Sequence, residues 1–339
     1  MKFEKHIENP ILKPNPNIDW ENFCVLNPAV VYDNKNNRFV MLYRATGDDI
    51  KHKIRLGLAI SEDGIHFTRQ SDKPAFDALD YEPDGGCIED PRLVEIGGRY
   101  YITYAARAFA PGRYWLPPEI FKAERAQWLK SQPQDTPAFV KLNHTVTYLA
   151  YTDDFVTYKK VGRITDSRYD DRDVVIFPRA INGKYVCITR PEINNEKSMY
   201  IAFSDDLVEW GDRELLYRGT EPWENCRLGA GCPPIETDDG WLLIYHGVDA
   251  RDEVYRVGVM LLDKDDPSKV LARTKDFVME PEFDYETSGL YNGCVFPTGA
   301  VERDGTLYVY YGCADKYIAV ATAKTADVLA ELRKNENKL

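Results

Sequence analysis

The amino-acid sequence predicts an all-β fold: a five-bladed β-propeller with a helical insertion in the second blade and a C-terminal helix. Three observations predict it. A unit of short strands recurs five times along the 339 residues; each unit opens on an apolar strand carrying or abutting proline; and polar turns separate strands rich in tyrosine and β-branched residues.

The first unit runs Asn27-Pro-Ala-Val-Val-Tyr, the turn DNKNN, Arg38-Phe-Val-Met-Leu-Tyr, Ile54-Arg-Leu-Gly-Leu-Ala-Ile, the turn SEDG and His66-Phe-Thr. The second has Asp90-Pro-Arg-Leu-Val, Arg99-Tyr-Tyr-Ile-Thr-Tyr and, after an interruption, Thr145-Val-Thr-Tyr-Leu-Ala-Tyr, TDD and Phe155. The third has Val174-Val-Ile-Phe-Pro, Lys184-Tyr-Val-Cys-Ile, Ser198-Met-Tyr-Ile-Ala-Phe, SDD and Leu207-Val-Glu-Trp. Gly231-Cys-Pro-Pro-Ile, Trp241-Leu-Leu-Ile-Tyr and Tyr255-Arg-Val-Gly-Val-Met-Leu-Leu make the fourth; Val295-Phe-Pro-Thr-Gly-Ala-Val, Thr306-Leu-Tyr-Val-Tyr-Tyr and Tyr317-Ile-Ala-Val-Ala make the fifth. The prolines Pro28, Pro91, Pro178, Pro234 and Pro297 lie 63, 87, 56 and 63 residues apart by subtraction. A pair of β-sandwiches would also give short strands, but even repetition argues for blades and for one domain over residues 1–339.

The long second spacing has a visible cause in an insertion of about residues 108–142. Its stretch Pro118-Glu-Ile-Phe-Lys-Ala-Glu-Arg-Ala-Gln-Trp-Leu-Lys reads as a proline-started amphipathic helix, expected to serve as a lid, as a contact in a homo-oligomer or as decoration. Thr325-Ala-Asp-Val-Leu-Ala-Glu-Leu-Arg-Lys reads as a closing helix, with Asp and Lys at the ends the macrodipole favours.

Composition narrows the function. A formal net charge of −12 argues against nucleic acid or an anionic membrane as the main partner, since both need a basic face. Seven scattered cysteines, none spaced as CxxC, argue against a metal or disulfide framework, so no metal and no cofactor is expected. No apolar run suggests a signal peptide or a membrane span, which points to a soluble protein of the cytoplasm.

A propeller gathers the first strands of its blades around one axis. The residues on or beside those strands are Asn27 and Arg44; Glu89, Asp90 and Arg92; Arg172 and Asp173; Arg190; Arg227 and His246; Asn292 and Asp315. Singly, each reads as a turn residue or a satisfied ion pair. Together they imply a polar pocket of sugar size, and its surplus arginines suit a bidentate oxyanion such as phosphate. His246 ends an apolar strand and, taken alone, reads better as a core histidine than as a ligand.

Three segments carry a resemblance. Gly86-Cys-Ile-Glu-Asp-Pro-Arg-Leu, the run from Arg172 through Phe177-Pro-Arg to Thr189-Arg-Pro, and Gly231-Cys-Pro-Pro-Ile with Gly240-Trp-Leu-Leu-Ile-Tyr-His-Gly resemble glycoside hydrolase family 130. That family comprises five-bladed propellers, mainly inverting β-mannoside phosphorylases. The resemblance implies that Asp90 is the general acid, relaying its proton through a sugar hydroxyl. It implies that Arg172, Arg190 and His246 bind inorganic phosphate, the co-substrate, with Arg227 assisting. It further implies that Arg44 and Asp315 hold the mannosyl unit, with Asn27, Asn292 and Glu89 nearby. Thr189 departs from the pattern, since many members carry His before Arg-Pro, and this leaves acceptor-side specificity open.

The chemistry is consistent with that implication. An inverting hydrolase needs an acid and a base, whereas a phosphorylase needs the acid and a cationic cradle for a nucleophile that arrives already charged. Retention of Arg172, Arg190 and His246 favours phosphorolysis of a β-mannoside over an inverting β-mannosidase, and both over a non-catalytic glycan-binding propeller. Asp90 must carry a proton to act, so burial or Glu89 is expected to raise its pKa, with nearby arginines pushing the other way. Linkage, β-1,4 or β-1,2, and acceptor identity lie in loops such as the one carrying Tyr114 and Trp115.

Overall fold

A computed structural model of the chain describes residues 1–79, 82–136 and 141–335. Its strands form five antiparallel sheets, the blades of a propeller. Blade one is Cys24–Asp33, Arg38–Thr46, Arg55–Ser61 and Thr68–Arg69. Blade two is Cys87–Ile96, Arg99–Arg107, Val146–Thr152 and Tyr158–Arg163, and the Pro118–Ser131 helix lies between its second and third strands. Blade three is Asp171–Ile176, Tyr185–Ile193, Met199–Ser204 and Glu214–Tyr217. Blade four is Arg227–Ala230, Gly240–Val248, Tyr255–Leu262 and Val270–Arg273.

Blade five has an origin the sequence did not announce. Val295–Arg303, Thr306–Cys313 and Tyr317–Lys324 are joined by Glu4–Lys5 from the opposite end of the chain, with Glu4 opposite Thr322 and Lys5 opposite Ala321. The ring is thereby closed by hydrogen bonds between the chain's two ends, and an otherwise open sheet edge is covered. The Thr325–Arg333 helix then packs Val328 and Leu332 into the core.

Five apolar clusters fill the five clefts between blades. Leu42 and Ile102 belong to the cluster of blades one and two, Leu149 and Ile176 to that of two and three, Val186 and Leu243 to that of three and four. Ile244 and Val309 belong to the cluster of four and five, and Met41 and Val320 to that of five and one. Each sheet therefore buries both faces, which explains strands that read as apolar runs and not as strict alternation.

The first strands of blades one to three are interrupted by bulges. Asn27, Asp90 and Asp173 take positive φ of 46°, 50° and 60°, a region that Asn and Asp tolerate better than other side-chain-bearing residues. Register shifts at Leu26/Pro28, Glu89/Arg92 and Arg172/Val175 mark the extra residue. Here the proline markers mislead. Pro28, Pro91 and Pro297 sit at register shifts of their first strands, but Pro178 follows its strand, the corresponding position in blade three being Val174, and Gly231-Cys-Pro-Pro lies in a break between Arg227–Ala230 and the short strand Ile235–Thr237.

The outer strands also begin later than the sequence suggests. SEDG, TDD and SDD are side-chain-stabilised turns: Ser61, Thr152 and Ser204 accept backbone N–H bonds from Gly64, Phe155 and Leu207, and Asp63, Asp154 and Asp206 accept two more each. Those N–H groups cannot serve a sheet, so pairing resumes only at Thr68, Tyr158 and Glu214.

A buried charge device repeats once per blade. A carboxylate beside the first strand accepts a hydroxyl bond from the second strand and faces a cation from the outer edge. Tyr43 donates to Glu21 at 2.7 Å and Arg69 lies 2.6 Å from Glu21. Tyr104 donates to Asp84 at 2.9 Å, with Lys160 at 3.0 Å. Tyr245 donates to Glu224 at 2.8 Å, with Arg273 at 3.9 Å, and Tyr311 donates to Glu286 at 2.8 Å, with Lys5 at 2.7 Å. In blade three Thr189 replaces tyrosine, donating to Asp171, which Arg213 meets at 2.9 Å. A buried carboxylate without these partners would be strongly destabilising.

Candidate active site

The residue after the hydroxyl-bearing position is polar or glycine in four of the five blades, and Arg44 and Arg190 among these line one axial cavity. In blades one, three and four it is Arg44, Arg190 and His246; in blade five it is Gly312, where a Cβ atom would stand 2.0 Å from Asn27 Oδ1. Glycine is required there because the Asn27 side chain lies across it. The bulge residues Asn27, Asp90 and Asp173 project into the same space.

They enclose a cavity of about 260 Å³ whose wall includes Asn27, Arg44, Glu89, Asp90, Arg172, Arg190 and Asp315. Of the ten residues assigned from sequence, these seven meet there. His246 does not line the cavity: it is fully buried, with its ring 4.5 Å from Phe296. Arg227 lies outside the wall, donating to Tyr255 and Tyr291 hydroxyls at 3.1 and 3.2 Å. Asn292 is exposed and caps a local turn, accepting from Gly289 N–H at 3.4 Å, and it is not among the residues that line the cavity.

Asp90 is held by two neighbouring side chains. Arg44 Nη1 lies 2.7 Å from its Oδ1, Asn27 Nδ2 donates to the same oxygen at 2.7 Å, and Arg44 also meets Glu89 at 3.1 Å. Burial pushes the Asp90 pKa up, but Arg44, Arg92 and Asn27 outweigh it, so the carboxyl is held below its ordinary value. The expectation of a raised pKa is thus corrected: the neighbouring arginines hold Asp90 towards its ionised form. Asp315 goes the other way, raised to about 6 by burial and by the negative Asp90 and Glu89, against the opposing pull of Arg44.

Asp173 is a second hub. Arg92 Nη2 lies 3.0 Å from Oδ1, Arg190 Nε 2.8 Å from Oδ2 and His246 Nε2 3.6 Å from Oδ2. Burial raises the Asp173 pKa, yet Arg190 and Arg92 bring it to about 2. Burial lowers His246 to about 3 despite Asp173, so this histidine is neutral and not one of the cations. Gly229 makes the hub possible, since a Cβ there would stand 2.6 Å from Asp173 Oδ2.

Arg172 is aimed by a bidentate pair with Asp170, both contacts at 2.8 Å, and by Thr145 at 2.7 Å. Sequence reasoning missed this clamp and also Arg107, which meets Glu89 at 3.4 Å and lines the cavity. Arg107 ends a second strand, as Arg44 nearly does, and position along the strand was the available signal. Tyr114 lines the cavity, and Trp115 anchors that loop, packed 4.4 Å from His52 and 4.9 Å from Phe23. Thr189 faces Asp171 and not the cavity. Among the described residues no cluster of His, Cys, Asp or Glu could hold a metal ion, and no helix is long and apolar enough to cross a membrane.

A family model described as beta-1,4-mannooligosaccharide phosphorylase matches residues 2–116 and 139–334. The chain belongs to glycoside hydrolase family 130. Relatives extend the match: a 1,2-beta-oligomannan phosphorylase of Thermoanaerobacter sp. (strain X514) is 37% identical over 97% of this chain and 99% of its own length. A beta-1,2-mannobiose phosphorylase of the same organism is 37% identical over 94% and 96%. The solved beta-1,2-mannobiose phosphorylase of Listeria innocua, in complex with beta-1,2-mannobiose, superposes with a TM-score of 0.78 at 27% identity, covering 99% of this chain and 100% of that one. The family 130 membership accounts for the five blades and for an enzyme's cavity on their axis.

Proposed function

We propose that this protein is an inverting glycoside phosphorylase that cleaves a β-mannoside with inorganic phosphate to give α-mannose 1-phosphate and a shortened sugar. The observation that carries this reading is the pairing of the groups that line the cavity. Asp90 is held by Arg44 and Asn27, whereas Arg172 and Arg190 are cations fixed in place by Asp170 and Asp173. Arginines aimed in advance are what a phosphate nucleophile needs, since no reorganisation is required when it binds.

In this mechanism Asp90 supplies the proton to the glycosidic oxygen through a sugar hydroxyl. Because Arg44 keeps the free carboxyl ionised, the proton is taken up with substrate, when the ring displaces part of that network. His246, neutral and behind Phe296, supports the phosphate side through Asp173 and Arg190. The names of the relatives at 37% identity make β-1,2 the linkage to test first.

Hydrolysis is the second reading, and Asp315 favours it: a carboxylate with a pKa of about 6 on the cavity wall could activate water. One assay separates them. β-1,2-Mannobiose is incubated with and without phosphate; α-mannose 1-phosphate formed only with phosphate supports phosphorolysis, and free mannose released at the same rate in phosphate-free buffer overturns it. Sugar binding without any product would leave a glycan-binding propeller.

A further inference from the structure

A second cavity of about 580 Å³ adjoins the axial one and shares with it Arg107, Pro111, Phe121 and Arg172. Its outer wall is the Pro118–Ser131 helix. Phe121, Glu124, Arg125 and Trp128, spaced as i, i+3, i+4 and i+7, form one stripe of that helix and all line the cavity. The helix buries no residue, so its aromatic stripe contributes little to a core. Trp128 is half-buried, edge-on to Phe109 at 4.4 Å between ring centroids.

The charges around this cavity are largely spoken for. Glu124 is paired with Arg113, Arg172 with Asp170, and Arg125 donates to the Leu142 carbonyl at 3.4 Å. Aromatic faces with compensated polar groups suit a neutral polyhydroxylated ligand better than an anion, and the volume is that of a small-molecule site. The family model, moreover, matches residues 2–116 and 139–334, so the helix lies outside the pattern its members share.

We propose that this cavity is a binding site for the leaving side of the substrate beyond the sugar next to the scissile bond, and that Trp128 and Phe121 make the enzyme select mannosides of three or more units. The inference rests on the phosphorylase reading. A disaccharide substrate leaves the cavity empty; a trisaccharide places its last ring against the Trp128 face.

The test compares kcat/KM in phosphate for β-1,2-mannobiose and β-1,2-mannotriose, in wild type and Trp128→Ala. Wild type is expected to prefer the trisaccharide by about tenfold, a ratio that Trp128→Ala reduces towards unity through KM, as loss of one aromatic face allows. The exposed helix makes misfolding of the variant an unconvincing cause, and circular dichroism checks it. Wild type with equal kcat/KM on both sugars leaves phosphorolysis standing and overturns this inference. A Trp128→Ala variant with an unchanged ratio but a raised KM for phosphate identifies a phosphate entrance and also overturns it. An unchanged ratio accompanied by a lower oligomer mass reveals a subunit contact and overturns it equally. Wild type inactive on every mannoside removes the phosphorylase reading itself.

Discussion

Arg44 Nη1 lies 2.7 Å from Asp90 Oδ1, and the two side chains come from adjacent blades. The pair ties the proposed proton donor to the group proposed to hold the sugar, so substrate binding is expected to be coupled to protonation of Asp90. Asp90→Asn keeps the shape and a hydrogen bond to the Arg44 side but cannot deliver a proton. Turnover is expected to fall about 10²- to 10⁴-fold, while β-1,2-mannobiose still binds by calorimetry. An Asp90→Asn enzyme of near wild-type rate would remove Asp90 from its role.

Phosphate affinity should depend on Arg172. Asp170 and Thr145 hold this guanidinium at one edge, leaving the other turned to the cavity. Arg172→Ala is expected to raise the KM for phosphate about 10- to 100-fold, the worth of one charge-assisted contact, and to change mannobiose binding far less. Initial rates against phosphate concentration measure it; equal losses for both substrates would argue for general disruption.

Asp315 makes stability depend on pH in a defined direction. Its folded pKa of about 6 stands above the ordinary value of 3.8, so folding favours its protonated form. The stability it contributes is complete below about pH 4 and is lost as pH rises through about 6. Asp315→Asn removes that loss: its Tm should exceed that of wild type by a few degrees at pH 7.5, the difference shrinking towards pH 4. Scanning calorimetry at both pH values decides, and a variant less stable at pH 7.5 contradicts the sign.

The repeated charge device separates fold from specificity at Thr189. Its hydroxyl serves Asp171, a buried carboxyl raised to about 6 mainly by that burial. Thr189→Val should cost about 1.5–3 kcal/mol, the range for a hydrogen bond to a charged group, and Tyr245→Phe a similar amount at Glu224. Acceptor preference in the synthetic direction should not change in Thr189→Val. A shifted acceptor range would show that this position reaches the cavity indirectly.

The five blades were legible because strand, turn and strand repeat locally, and Arg44, Asp90, Arg172, Arg190 and Asp315 were legible because a propeller converts repeat position into proximity. What escaped was set by long-range geometry. Asn292 looked equivalent to the others by repeat position, but its turn places it outside the lining of the axial cavity. His246 looked cationic, yet burial leaves it neutral. The lowered pKa of Asp90 depends on Arg44 of the preceding blade, a pairing that no local pattern encodes. Glu21, Asp84 and Glu224 each stand three residues before the first strand of their blade, but Glu286 stands nine before Val295 and Asp171 is itself the first residue of its strand, so the one device shared by every blade has no single spacing.

The N-terminal strand was the largest omission, because two residues, Glu4–Lys5, carry no periodicity. Their effect is nevertheless large. Lys5 lies 2.7 Å from Glu286 and 2.8 Å from Glu282, Phe3 is buried in the cluster of blades four and five, and Asn9 brackets Val320 by donating to its carbonyl and accepting its N–H. Deleting residues 1–9 would expose the edge of Tyr317–Lys324, strand Glu286 of its cation and open the Phe3 site. Breaking one buried pair alone costs about 3–5 kcal/mol, so the deletion is expected to lower Tm by at least 10 °C and to promote association through the bared strand. The single variant Lys5→Met keeps the strand and removes the charge. If the ring is closed chiefly by backbone pairing, Lys5→Met loses less than half of what the deletion loses; if the Glu286 pair dominates, the two losses are nearly equal, and thermal unfolding of the two proteins side by side distinguishes these cases.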